Sequence, residues 1–245
     1  MAIDAVRWQG HEAVRGRGGE TEGVVVLFAR SRTVRMPTRE EAPAGRPAPA
    51  YEVPAAHALL GTPLQGPYPE GHEVGDFALG CFWGAERRFW EVPGVWTTLT
   101  GFQGGFTPHP VDDEVRTGRT GHAETVRVVF DPGMVSYGEL LRVFWEGHDP
   151  TQGFRQGNDL GTHVRSVVFT HSAAQHAAAE RTRARYQEAL TPFGYGAITT
   201  DILPAGEHPF YPASALHQQY LYRNPSGYCG LGGTGISLGA PPGPQ

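Results

Sequence analysis

The sequence predicts an α+β domain, a ferredoxin-like split β-α-β sheet with helices packed on it and a long coil at the C-terminal end. Two observations carry that expectation. From Asp76 onward the elements follow the order β-α-β-β-α-β, then α and β, which is the split arrangement. The strands carry charged residues on one face and are joined by long loops, which a wholly parallel sheet covered on both sides does not tolerate. The 245 residues, 39% apolar, suffice for one large domain with a core, and 34 Gly with 21 Pro supply its turns.

Residues 1–45 carry scattered Arg and Glu and lead into Arg39 to Pro49, a composition that buries no core. They read as a disordered extension, with Met36 a candidate internal start. Residues 46–238 form the expected domain and 239–245 a flexible tail. Tyr51 to Gly75 is rich in Pro and Gly and reads as an ordered wrap.

A short strand at about 76–80 then leads into a helix at about 84–91, stopped by Pro93-Gly94. Thr, Val and Trp enrichment makes Val95 to Gly101 a strand, and Gly104 to Gly121 reads as a long loop. Ala123 to Phe130 is a strand ended by Asp131-Pro132-Gly133. Ser136 and Glu139 form a capping box, and Leu140, Leu141, Phe144 and Trp145 share one face of the helix it opens. Strand 163–170 follows, then a second capping box, Ser172 with Gln175, opening an Ala-rich helix to about Leu190. A strand at 197–203 and a helix at 214–222 complete the order.

Composition narrows the function. A net charge of −5 and a pI near 6.1 argue against a nucleic-acid binder. All 20 basic residues are Arg, which reads as a codon-composition habit. No apolar run reaches the roughly 18 residues of a membrane span, and Gly23 to Ala29 lacks the flanks of a signal peptide. The cytoplasm is the expected compartment, where two cysteines point to catalytic or redox chemistry rather than a structural staple.

Cys81 stands where an apolar strand gives way to a helix, so helix N-terminal amides and the helix dipole favour its thiolate. A buried structural cysteine in an aromatic core is the alternative. Glu124 shares a strand face with Val126, Val128 and Phe130. A carboxyl on an apolar face has its pKa raised and suits a general acid. Asp159 lies in the Gly-flanked loop Gln156 to Thr162, and Cys229 in a Gly-rich stretch near the C-terminus. A cysteine in such surroundings is suited to travel and attack an oxidised partner sulfur. The 11 histidines show no His-x-x-x-His and the cysteines no Cys-x-x-Cys spacing, so no metal site is expected, and His122 reads as structural or supporting. A Cys81/His/Asp hydrolase triad is a further alternative, though it leaves Cys229 without a role.

At these residues the chain resembles the peptide methionine sulfoxide reductases of the A type. The resemblance rests on Gly-Cys-Phe-Trp-Gly at 80–84, Gly-Gly-Phe-Thr-Pro at 104–108 and Thr-Gly-His-Ala-Glu at 120–124. Arg-Gln-Gly-Asn-Asp at 155–159, His-Gln-Gln-Tyr-Leu at 217–221 and Gly-Tyr-Cys-Gly at 227–230 extend it, over roughly residues 40–238. It implies Cys81 as nucleophile, Phe82 and Trp83 as an apolar seat for the substrate methyl, and Glu124 as proton donor. Asp159 would help hold the oxygen or a water. Cys229 would resolve the Cys81 sulfenic acid as a disulfide passed to thioredoxin, with dithiothreitol able to stand in. The implied substrate is the S epimer of methionine sulfoxide, free or in oxidised proteins, with no bound cofactor and a monomeric enzyme.

Three departures stand out. Where the family commonly has two tyrosines, this chain has Asp112 and Val164, and Ser237 stands where some members carry another recycling cysteine. Each donor aimed at developing charge is worth about 3 kcal/mol, so a weakened paralogue that binds methionine-like side chains is the competing reading. Asp112 beside Glu124 would raise the glutamate's pKa by like-charge repulsion and so partly compensate.

Overall fold

A computed structural model of the chain describes residues 34–239. The split arrangement is present. Strand β1 (Glu73–Leu79) is followed by α1 (Phe82–Trp90), β2 (Val95–Gln103), α2 (Asp112–Arg116), β3 (Ala123–Phe130) and α3 (Tyr137–Gly147). A small hairpin, β4 (Arg155–Gln156) with β5 (Asp159–Leu160), precedes β6 (Ser166–Thr170) and α4 (Ala173–Leu190). Strands β7 (Asp201–Pro204) and β8 (Tyr211–Pro212) and the short α5 (Tyr220–Arg223) close the order.

The sheet runs β7-β6-β1-β3-β2-β8. Its four central strands pair antiparallel, β7 adds parallel to β6, and β8 adds antiparallel to β2. One face buries Phe77, Leu79, Phe102, Val126, Val128 and Phe130 against Phe89 of α1 and Phe144 and Trp145 of α3. The other holds Ala78, Ala123, Val167 and Phe169 under Leu203 and Ala205. There too lies Asp76, fully buried and paired with the Arg127 guanidinium by two 2.8 Å bonds.

The caps explain where the long helices start. Ser136 Oγ accepts from the Glu139 amide at 3.2 Å while the Glu139 carboxylate accepts from the Ser136 amide at 2.8 Å, the full box. At α4 only half forms. Ser172 Oγ accepts from the Gln175 amide, but Gln175 takes the His171 amide at 2.9 Å and donates to Val74 O, tying the helix to β1 instead.

Elsewhere the expected elements shift. The 104–121 loop contains α2, started by Glu114 accepting from the Val111 amide at 3.1 Å. Strand 163–170 begins only at Ser166, because Thr162–Val164 form a 3₁₀ turn. The strand expected at 197–203 sits at 201–204. The last helix is four residues, since Gln219 adopts φ 48° and its amide donates to Glu86 Oε2 rather than to a helical carbonyl.

Of the expected N-terminal extension, residues 1–33 lie outside the described residues, as do 240–245 of the tail. Residues 34–45 run along the body: Thr107 Oγ1 donates to Pro43 O at 3.0 Å, and the Arg46 amide to Pro108 O at 3.0 Å. Among the described residues no helix is long and apolar enough to cross a membrane.

Candidate active site

Gly80 turns the chain from β1 into α1 at φ +112°, where a side chain would strike Gln156 and Leu231. Cys81 follows as the residue capping α1, 9% exposed, with its carbonyl accepting from the Ala85 amide. Glu124 comes up from β3 on the same face as Val126 and Val128, as its alternation predicts. Its Oε2 accepts from the Phe82 amide, the first of the helix, at 3.0 Å. One peptide unit thus joins the sulfur-bearing residue to the carboxyl.

The electrostatics correct one expectation and support another. Burial pushes the Cys81 thiol well up, Glu124 adds to this, and the Trp83 and Gly84 amides pull the other way. The helix start therefore does not leave a resting thiolate; loss of water around the sulfur outweighs it. Glu124 is pushed up to about 8, by burial first and then by the Asp112 charge, against the Phe82 amide bond. At neutral pH this carboxyl holds a proton.

Trp83 is fixed on two sides. Its indole stacks on Tyr220 at 3.8 Å between ring centres and lies near-parallel to His217 at 5.8 Å. Indole Nε1 donates to His217 Nδ1 at 3.1 Å, so that nitrogen is the acceptor and Nε2 carries the hydrogen. Nε2 faces Asp112 Oδ1 at 3.7 Å. Phe82 packs beneath, against Phe102 at 5.7 Å and His217 at 5.3 Å. The two aromatics after the cysteine therefore divide their work: Phe82 is buried floor and Trp83 a half-buried wall.

Asp159, at the start of β5, accepts from the Tyr228 hydroxyl with both oxygens at 3.2 Å. The residue after Tyr228 is Cys229, exposed, with its sulfur over the first turn of α1: a methyl on Gly84 would stand 2.5 Å from it. Both cysteines are free thiols. Cys81, Glu124 and Cys229 thus meet at the N-terminal turn of α1, and Asp159 joins them through Tyr228.

His122 is structural, with Nδ1 accepting from the Gly105 amide and Nε2 donating to Thr107 O, and burial lowers its pKa to about 4. Val164, where a tyrosine was expected, is 2% exposed. No group of three or more potential metal-ligating side chains occurs among the described residues. His217, Tyr220 and Tyr228 escaped the residue-level reading. They stand inside stretches that carry the resemblance, 217–221 and 227–230, which by themselves assign no role to these side chains.

The family model "Peptide methionine sulfoxide reductase" matches residues 73–234, which include every one of these groups. The chain belongs to that family. It is 62% identical over 211 residues to peptide methionine sulfoxide reductase MsrA of Streptomyces griseus, covering 86% of this chain and 95% of that one. It is 56% identical over 212 residues to MsrA 1 of Caulobacter vibrioides, with 86% and 95% covered. Among solved structures, methionine sulfoxide reductase A of Corynebacterium diphtheriae superposes with a TM-score of 0.74 at 45% identity, over 80% of this chain and 93% of that one. Within the matched stretch, Cys81, Glu124 and Trp83 thus gather at the first turn of α1, with Asp159 bonded to the tyrosine beside Cys229.

Proposed function

We propose that this chain reduces methionine sulfoxide to methionine, with Cys81 as nucleophile, Glu124 as proton donor and Cys229 as resolving thiol. The observation that carries the assignment is Glu124, a buried carboxyl that stays protonated to about pH 8 one hydrogen bond away from the cysteine residue's own peptide group.

The Cys81 sulfur attacks the sulfoxide sulfur as Glu124 protonates the departing oxygen. Methionine leaves, Cys81 becomes a sulfenic acid, and the thiol proton restores Glu124. The thiol of Cys229 then attacks that sulfur, releasing water and leaving a disulfide. Thioredoxin exchanges its two thiols for it, and dithiothreitol does so in the test tube. No bound cofactor enters this sequence. Asp159 with Tyr228 positions the oxygen or a water, and Phe82 and Trp83 seat the methyl, which selects the S epimer. Ser237 offers no third thiol, so recycling passes directly through Cys81 and Cys229. The catalytic unit is residues 46–238, acting as a monomer in the cytoplasm on free and protein-bound methionine sulfoxide.

Relatives that carry the reductase name do not favour a binding-only paralogue or a hydrolase. The test is dithiothreitol-driven reduction of S-methionine sulfoxide by the wild type and by Cys81→Ser. Turnover should vanish in the variant, and a wild type without turnover would overturn the proposal. With thioredoxin in place of dithiothreitol, Cys229→Ser should release about one methionine per chain and then stall; full multiple turnover with thioredoxin would remove Cys229 from the recycling role.

A further inference from the structure

Beside the reaction cleft lies a second concavity, built where the N-terminal strap crosses β8. The strap is tied at both ends of its crossing. The Arg46 guanidinium grips the Glu114 carboxylate of α2 with bonds of 2.8 and 2.9 Å, and the Tyr51 hydroxyl donates to Pro212 O at 3.1 Å. Between strap and body opens a cavity of about 340 Å³, lined by Tyr51, Val53, His109, Pro110, Tyr211 and Pro212. The established chemistry uses none of these residues, and the strap lies outside the 73–234 stretch that the family model matches.

We propose that this cavity is a peptide subsite: it takes a bulky apolar side chain, aromatic above all, carried by a polypeptide substrate a few residues from its methionine sulfoxide. The proposal rests on the reductase reading of the neighbouring cleft and names what that cleft selects beyond the sulfoxide.

Three features define the occupant. The walls are mainly rings, prolines and Val53, with Glu52 and Gln65 among them, and His109 meets Tyr211 edge-on at 5.0 Å, a lining that suits an aromatic guest. The Pro212 carbonyl is engaged by Tyr51, which takes that backbone acceptor out of reach of a polar guest. Both walls lead into the reaction cleft. Two residues beyond Pro110 stands Asp112, facing His217 over Trp83, and Tyr211-Pro212 pair with Gly101-Phe102, of which Phe102 packs on Phe82. A chain with its sulfoxide at Trp83 therefore passes this cavity on the α2 side. Glu52 in the lining and Asp112, whose charge reaches both Tyr51 and Glu124, put negative charge on this side, so a basic residue beside the aromatic strengthens the fit and an acidic one weakens it.

The test compares N-acetyl methionine sulfoxide amide with nine-residue peptides holding methionine sulfoxide at the centre. Phe replaces Ala at each position two to four residues away on either side. In the wild type at least one Phe position should raise kcat/KM about tenfold over the all-Ala peptide. Ala50→Trp, which fills the cavity from its exposed rim, should abolish that gain and leave the small amide's kinetics unchanged; Tyr51→Ala, which removes a ring from the lining, should abolish it too. Binding of the unreacted peptides to Cys81→Ser, followed by calorimetry, reads the same preference without turnover, so failure of the chemistry and failure of the subsite are distinguishable. No Phe preference at any position, or a preference that survives Ala50→Trp, overturns the subsite. So does an Ala50→Trp defect seen only with thioredoxin and not with dithiothreitol, which would assign the cavity to the reductant.

Discussion

Asp76 and Glu124 lie on neighbouring strands of one sheet, 0% and 8% exposed, yet the protein keeps them in opposite charge states. Asp76 points to the face away from α1, where Arg127 grips both its oxygens and His171 Nε2 stands 3.0 Å away. Burial works to raise its pKa, but those partners overcome it and hold the carboxyl below the usual range. Glu124 points to the helix face, with one amide donor and the Asp112 charge nearby, and burial prevails. Depth alone therefore does not decide ionisation; the presence of a cation does. Asp76 is a structural anion and Glu124 a stored proton. Glu86, fully buried on α1 with Gln219 and Thr98 as neutral donors, falls between them at about 7.

The largest expected effect separates the two by activity. Glu124→Gln should lower kcat by about 10²–10⁴-fold, the range of a lost general acid, without lowering the melting temperature. A steady-state assay and a melt on the same sample check it. Asp76→Asn should do the reverse. It leaves the half-buried Arg127 charge without its buried partner and should cost about 3 kcal/mol in urea unfolding, with activity per folded molecule nearly intact.

Stability against pH sharpens the contrast. The raised Glu124 pKa means that its contribution is fully present below the unfolded value near 4.5 and is lost as pH rises through about 8. The lowered Asp76 pKa means that its contribution is present above the unfolded value near 3.8 and is lost as pH falls through the folded one. Between pH 6 and 9 the wild type should thus lose stability that Glu124→Gln keeps. Over the same range kcat should fall as Glu124 ionises. Asp112→Asn should move that fall to lower pH, because the charge that helps keep the proton on Glu124 is gone. A profile unchanged by the substitution would remove Asp112 from the account.

The smallest effect concerns Asp159, whose two oxygens share the Tyr228 hydroxyl. Tyr228→Phe should reduce kcat/KM by a factor of about 3–10, the net worth of one hydrogen bond of about 1 kcal/mol. Removal of the carboxylate in Asp159→Ala should cost more.

Much of this was legible before any coordinates. The β3 alternation put Glu124 among Val126, Val128 and Phe130, and its burial follows from that pattern. The capping box at Ser136 located α3, because both of its bonds are local. Readings failed where a side chain found a distant partner instead. Gln175 left its box for Val74, 101 positions away, and Gln219 left a helical geometry for Glu86, 133 positions away. Helix α2 was hidden because Asp112 to Arg116 is short and sits among Gly and Pro, with Arg46 holding its Glu114 from 68 positions off.

The Gly-Cys-Phe-Trp-Gly stretch, the strand and helix order and the presence of two thiols were properties of the sequence itself, because periodicity, caps and motif spacing are local. What only the tertiary structure decided is the state of the groups. It made Cys81 a resting thiol and not a thiolate, gave Asp76 a hydrogen-bonded guanidinium while leaving Glu124 only the more distant Arg116 charge, and laid Cys229 over Gly84. Charge state and reach depend on which partners and how much water surround an atom, and chain order does not encode either until the sheet closes.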